Sequence, residues 1–391
     1  MNTMSMQVID GTPVWGKPDL EALSQIRTCA KNAVATALMA DHHVGYAIPI
    51  GGVVAYKDAI SPSGVGYDIA CGNKAVRLDI PADEVRKNIK TIMDSIYEEL
   101  SFGIGQSNSV RVDHELFDDP VWKLHAVAPL KELARNQLGT IGSGNHFVDV
   151  FTDELDRVWV GIHCGSRGFG HHIATWFLNA GGAADGMHVE PLVLPVTSAL
   201  GAEYLECMKL AGRYAYAGRD WICNKAAKLL GATIEEEVHN HHNYAWQETH
   251  EGIGDVWVIR KGATPAFPGQ QGFVGGSMGD VSVIIEGVEH SDSPAALYST
   301  VHGAGRVMGR MEAKGKWKKN HCHRPGKVTQ EMMRSWIDEI GVELRGADVD
   351  ESPHCYKRLL EVLAAHKGSI KILHTLWPLG VAMASSHKYK D

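Results

Sequence analysis

The amino-acid sequence predicts a mixed α+β fold, one domain over residues 1–391 with central mixed β-sheets flanked by helices. Three observations carry this. Short strand-like segments interleave with longer helical periodicities along the chain. No internal repeat, low-complexity segment or Pro/Ser-rich linker divides it. Most of the 42 glycines stand beside the strand-like segments, where turns end strands.

The elements follow in order. Residues 19–39 read as a helix, with Leu20, Leu23, Ile26, Ala30, Ala33 and Ala37 on one face. A second helix follows Pro81, where Val85, Ile89, Ile92, Met93, Ile96 and Leu100 are apolar, and it ends near Gly103. Residues 200–230 form a long helical pattern that Gly212 and Gly218 have the means to break. Further helices fall near 329–340 and 354–365. Strands are expected at 75–80, 146–151, 158–163, 256–260 and 281–286, where the runs are short and alternating or apolar throughout.

Composition excludes several classes. Apolar residues make up 44% and charged residues 21%, an ordinary globular balance rather than a disordered or fibrous one. No apolar run reaches the roughly 18 residues of a membrane helix, and residues 1–10 show no secretory signal. The seven cysteines are an odd number, scattered, with no CxxC pair, which points to free thiols and a reducing cytoplasm. The net charge of −8 confines any nucleic-acid contact to a local cationic patch.

The 21 histidines are the unusual feature, and several stand in or near glycine-rich loops. Any one of them is more simply a surface or core residue. Five segments together suggest chemistry. In 64–72 (GVGYDIACG) Asp68 and Cys71 lie three apart, a carboxylate and a thiolate suited to Mn²⁺, Zn²⁺ or Fe²⁺. Segments 138–149 (LGTIGSGNHFVD), 161–168 (GIHCGSRG) and 239–244 (HNHHNY) each add imidazole, enough donors for two ions. Their spacing is too wide for a zinc finger, so such a metal would be catalytic. Segment 301–310 (VHGAGRVMGR) sets His302 before a GxG turn and two arginines, a phosphate pocket with a nucleophile beside it. No GxxxxGK[ST] loop is present, which disfavours a Walker-type NTPase.

Read together from about Met39 onward, the segments 64–77, 138–149, 163–168, 241–244 (HHNY), 260–263 (RKGA), 276–279 (GSMG) and 302–310 strongly resemble the RtcB family of RNA ligases. The resemblance implies a GTP- and Mn²⁺-dependent enzyme that joins RNA 3′-phosphate or 2′,3′-cyclic phosphate ends to 5′-hydroxyl ends. By motif, Asp68, Cys71, His146, His163 and His242 would hold two manganese ions, with Cys71 shared, and His302 would take GMP. Asn145, His146, Asp149, His242, Asn243, Gly275, Gly276, Ser277, Met278, Ser282, His302, Gly303, Ala304 and Gly305 would line the guanylate pocket. Arg167, Lys261, Arg306 and Arg310 would contact phosphate or RNA.

This chain departs from the family pattern in places. The family's Met-Pro-Asp-x-His reads Met39-Ala-Asp41-His42-His43, the Glu after the NHF segment is Asp149, and Gly275 and Gly309 replace Pro and Ser. The family ends in Lys-Gly, whose lysine reaches the guanine base. Here the aligned stretch is 379–384 (LGVAMA), and neither Lys388 nor Lys390 falls at the matching position. That implies relaxed nucleotide choice and a divergent member used in RNA repair or tRNA splicing. The competing reading is a metal-dependent RNA-end phosphoesterase, which needs the metal ligands but not His302. A non-catalytic RNA-end binder fits less well, because a buried Cys/His/Asp centre is costly to keep without chemistry.

Overall fold

A computed structural model of the chain describes residues 6–184, 186–318 and 321–385. Two large sheets organise it. The first has six strands in the order Gln7–Ile9, Thr12–Val14, Ala35–His43, Ile50–Tyr56, Gly254–Lys261, Asn243–His250. The second runs Ile234–His241, Gly72–Pro81, Arg157–Cys164, Phe147–Asp153, Ile370–Met383, Ser282–Gly287, Gln271–Val274, with Glu343–Gly346 joined in parallel to Ile370–Met383. Helices and several sheets together make the fold mixed α+β, as the sequence predicts.

Burial explains the layering. One face of the first sheet, through Leu38, Val54 and Ile259, packs on Leu23 and Ile26 of the helix Leu20–Ala30 and on Phe169, Tyr204 and Tyr214 from two later helices. One face of the second sheet, through Val76, Val150 and Val160, packs on Met93 and Ile96 of the helix Ala82–Glu99 and on Ile222 of the helix Ala199–Leu229. The long helix therefore serves both cores. Ala37, Met39, Val53 and Val258 of the first sheet meet Val274, Val283 and Ile285 of the second in a third core. Removal of these apolar surfaces from water drives the assembly. No helix among the described residues is long and apolar enough to cross a membrane.

The helices Ala82–Glu99 and Gln330–Ile340 and the five expected strands form close to their predicted positions. The long helix runs unbroken from Ala199 to Leu229, started by Ser198, whose side chain accepts the Gly201 N–H at 3.0 Å. The helix predicted at 19–39 is a correction. It stops at Ala30, and Ala35–His43 is a strand. That strand is buried on both faces at Ala37, Leu38, Met39 and Ala40, so its apolar residues satisfy a helical period by chance. The helix predicted at 354–365 divides into a turn at Pro353–Cys355, a short helix Leu359–Leu363 and a turn Ala364–His366.

Candidate functional site

Topology brings the metal-type residues together. Four neighbouring antiparallel strands of the second sheet, Ile234–His241, Gly72–Pro81, Arg157–Cys164 and Phe147–Asp153, alternate in direction. Their ends at one side of the sheet carry His241-His242, Cys71, His163 and His146, and the register pairs His241 with Gly72, Gly72 with Cys164, and His163 with Phe147. His242 lies where the chain leaves the edge of the second sheet and enters the edge of the first, and its N–H donates to the Cys71 carbonyl at 2.9 Å.

Cys71, His146 and His163 hold their ligand atoms within 4.8 Å of one another. Cys71 Sγ lies 3.4 Å from His163 Nε2 and 3.7 Å from His146 Nε2. Each imidazole is aimed by its other nitrogen. His163 Nδ1–H donates to Asn73 Oδ1 at 2.6 Å, and His146 Nδ1–H to the Ile141 carbonyl at 2.9 Å. With that tautomer the His163 Nε2 lone pair faces the thiol, and His146 Nε2 stands 3.1 Å from Asp68 Oδ2 as well as 3.7 Å from the thiol. Lone pairs, a carboxylate and a sulfur converging on one point suit a cation between them. The ring of His242 stacks on His163 at 5.1 Å between centroids, and its buried Nδ1 has no hydrogen-bond partner.

The electrostatics agree with that fit. Burial opposes the ionisation of Asp68, but His146 and then Arg167 outweigh it and hold the carboxyl at about 2. Burial pushes His163 and His242 well below the usual imidazole range, so both stay neutral, the form that ligates. The Cys71 thiol is pushed well above its usual range by burial and then by Asp68. A bound cation would supply the compensation its thiolate needs. Mixed O, N and S donors match a borderline transition metal better than Mg²⁺ or Ca²⁺.

His302 stands beside His242, 4.9 Å away between ring centroids. Its Nδ1–H donates to Asp41 Oδ2 at 2.6 Å, and the same oxygen accepts the backbone N–H of His302 at 3.0 Å. Burial would raise the Asp41 carboxyl, but His302 outweighs it and holds it below the usual carboxylate range. The fixed tautomer leaves His302 Nε2 with a free lone pair.

Asp68, Cys71, His163, His242 and His302 line one cleft of about 510 Å³, and His146 is not among its lining residues. Asn145, Asp149, Asn243, Lys261, Arg306 and Arg310 also line it, together with the loops 275–278 and 303–305. The two loops touch through a bridge between Gly275 and Gly303. The Gly276 N–H donates to buried Ser282 Oγ at 3.1 Å, which shapes the first loop from below.

A family model described as tRNA-splicing ligase RtcB matches residues 20–128 and 123–384. The chain belongs to the RtcB family. Among its relatives, the tRNA-splicing ligase RtcB of Thermococcus kodakarensis is 30% identical, over 88% of this chain and 86% of its own. The RNA-splicing ligase RtcB of Escherichia coli is 31% identical over 87% and 88%, and the tRNA-splicing ligase RtcB of Archaeoglobus fulgidus 31% over 94% and 91%.

The residues picked out by the RtcB resemblance gather at or beside this cleft, and its cationic side chains are engaged by the protein's own groups. Arg167 packs over Gly142 and reaches His146 Nδ1 at 3.0 Å, behind the ligand set. Lys261 is buried, and its Nζ donates to the carbonyls of Tyr46 at 2.5 Å and Ser63 at 3.2 Å. Arg306 donates to Tyr356 Oη at 2.8 Å and the Asp350 carbonyl at 2.7 Å, and Arg310 pairs with Asp350 at 2.7 Å and with Glu351. Asp149 is buried with one oxygen unpartnered, and burial raises its carboxyl well above the usual range. Val381 and Met383 of the strand Ile370–Met383 line the cleft, whereas Lys388 and Lys390 lie outside the described residues.

Sequence reasoning passed over three residues that position the site. Asp41 was legible as the carboxylate kept in a segment that loses its proline. Asn73 stands two places after Cys71 but gives no signal until strand register sets it beside His163. Arg219, wholly buried on the long helix, donates to the carbonyls of Ala70 at 3.1 Å and Cys164 at 2.6 Å, the neighbours of Cys71 and His163.

Proposed function

We propose that this protein is an RNA ligase that uses GTP and Mn²⁺ to join RNA 3′-phosphate or 2′,3′-cyclic phosphate ends to 5′-hydroxyl ends, by way of guanylated His302. Its setting would be RNA repair or tRNA splicing in the cytoplasm. The observation that carries this is the placement of a carboxylate-oriented histidine beside a Cys/His/Asp ligand set in one cleft. A phosphoesterase has no use for the Asp41–His302 pair. The names of the relatives, RNA- and tRNA-splicing ligases, support the same reading.

A divalent cation held by Asp68, Cys71, His146, His163 and His242 would polarise phosphate oxygens and activate water to open a cyclic phosphate. The chain's own residues do the rest. His302 Nε2 attacks the α-phosphorus of GTP, forming a P–N bond as the P–O bond to pyrophosphate breaks. Asp41 holds the imidazole and balances its positive charge. Backbone N–H groups of the glycine-rich loops, with Lys261, Arg306 and Arg310, would steady the phosphate oxygens. The guanylate passes to an oxygen of the RNA 3′-phosphate, which returns the imidazole. The 5′-hydroxyl then attacks that phosphorus, loses its proton and expels GMP.

The test is a sealing assay on two RNA strands, one ending in a 3′-phosphate and the other in a 5′-hydroxyl. Sealed product is expected with GTP and Mn²⁺ and not after chelation. ATP is expected to serve better than a strict guanine site would permit, because the base-reading lysine has no counterpart at its matching position. Release of the 3′-phosphate without sealing would show a phosphoesterase instead.

A further inference from the structure

We propose that Tyr46 and Tyr67 form a stacking corner for the base of the RNA nucleotide that bears the reactive 3′-phosphate. The inference rests on the RNA-ligase reading above and extends it to how the strand is gripped. Both tyrosines line the cleft. Their rings stand 6.0 Å apart between centroids at an interplanar angle of 89°, two walls of a corner. His171 backs Tyr67, stacked at 5.1 Å and 25°.

Tyr46 is 54% exposed, so its ring is open to a partner. Its backbone, by contrast, is pinned. The Gly45 N–H donates to buried Gln25 Oε1 at 3.0 Å, and the Tyr46 carbonyl accepts from Lys261 Nζ. The Ala47 N–H donates to the Met187 carbonyl at 3.3 Å. A ring carried on a fixed backbone loses less entropy when it takes a partner than one on a mobile loop.

The position of the corner selects its occupant. Tyr67 precedes Asp68 in the chain, and the corner shares one cleft with Asp68, Cys71, His163 and His242. A nucleotide whose terminal phosphate lies at that set places its base within reach of the two rings. Stacking is indifferent to base identity, as suits an enzyme that joins ends of varied sequence. It also gives affinity without positive charge, which a chain of net charge −8 has little of to spare.

The experiment measures binding of two fluorescent single-stranded RNAs with 3′-phosphates, one intact and one lacking only the base of its last nucleotide. Wild-type protein should bind the intact strand about tenfold more tightly, the loss typical of one base–aromatic stack. Tyr46→Ala should lose that preference, whereas Tyr46→Phe, which keeps the ring, should retain it. Equal weakening on both strands, or no change on either, overturns the corner. Labelling of wild type by radioactive GTP is measured in parallel. A labelled wild type with Tyr46→Ala unchanged defeats the corner alone. A wild type that neither takes label nor binds either strand defeats the ligase reading and the corner with it.

Discussion

Cys71 and Cys164 make a controlled pair at the scale of single residues. Both are buried thiols at the same end of the second sheet, yet only Cys71 shares a 4.8 Å cluster with two imidazoles. Serine replaces a soft thiolate with a poor metal ligand. Cys71→Ser is therefore expected to lower the manganese content of purified protein several-fold by elemental analysis, with Cys164→Ser close to wild type. Equal metal in the two variants would contradict the assigned ligand set. Lys261 gives a pH prediction. Burial lowers its ammonium to about 8, with only Cys29 opposing the shift. Because the folded value lies below the unfolded one, the cost of burying the charge is present below pH 8 and is relieved as pH rises past it. The positive charge offered to phosphate disappears over the same range. Affinity for 3′-phosphate RNA should fall with a midpoint near pH 8, and Lys261→Met, weaker throughout, should lack that step.

The long helix Ala199–Leu229 supplies the prediction at the scale of elements, through its two interior glycines. A Cβ at Gly218 would meet nothing nearer than 3.8 Å, whereas one at Gly212 would press on the Tyr244 ring at 3.1 Å. Alanine in a helix interior is favoured over glycine by about 0.5–1 kcal/mol. Gly218→Ala should raise the thermal midpoint by a degree or more. Gly212→Ala should gain less or lose stability, because Tyr244 must shift. The same helix shows what the sequence concealed. Glycine suggested a break there, but packing against strands and helices on both sides holds the helix together. Strand Ile370–Met383 was concealed differently. Pro378 and Gly380 make it read as loop, and the register slips between them at a bulge that accommodates the missing donor. Helix Arg167–Ala180 was hidden by glycines at its start. Where periodicity was long and unambiguous, as at Ala82–Glu99, position and type were both legible.

For the whole molecule, the candidate site residues could be picked out from motif order, and their arrangement could not. Asp68, Cys71, His146, His163, His242 and His302 come from segments spread over more than half the chain, and only strand order makes them neighbours. The positioning groups Asn73 and Arg219 depend on long-range packing, so no local pattern marks them, and Asp41 is marked only by the segment that keeps it. The central claim is that His302, held by Asp41, is the nucleophile. It is tested most directly by incubating the protein with α-³²P-labelled GTP and Mn²⁺, then mapping the covalent label by peptide mass spectrometry. One GMP per chain is expected on His302, through a bond stable to alkali and broken by mild acid. His302→Asn should fold, keep its metal and take no label, and Asp41→Asn should take it about 10²-fold more slowly. Label on another residue, or normal labelling of His302→Asn, would contradict the account.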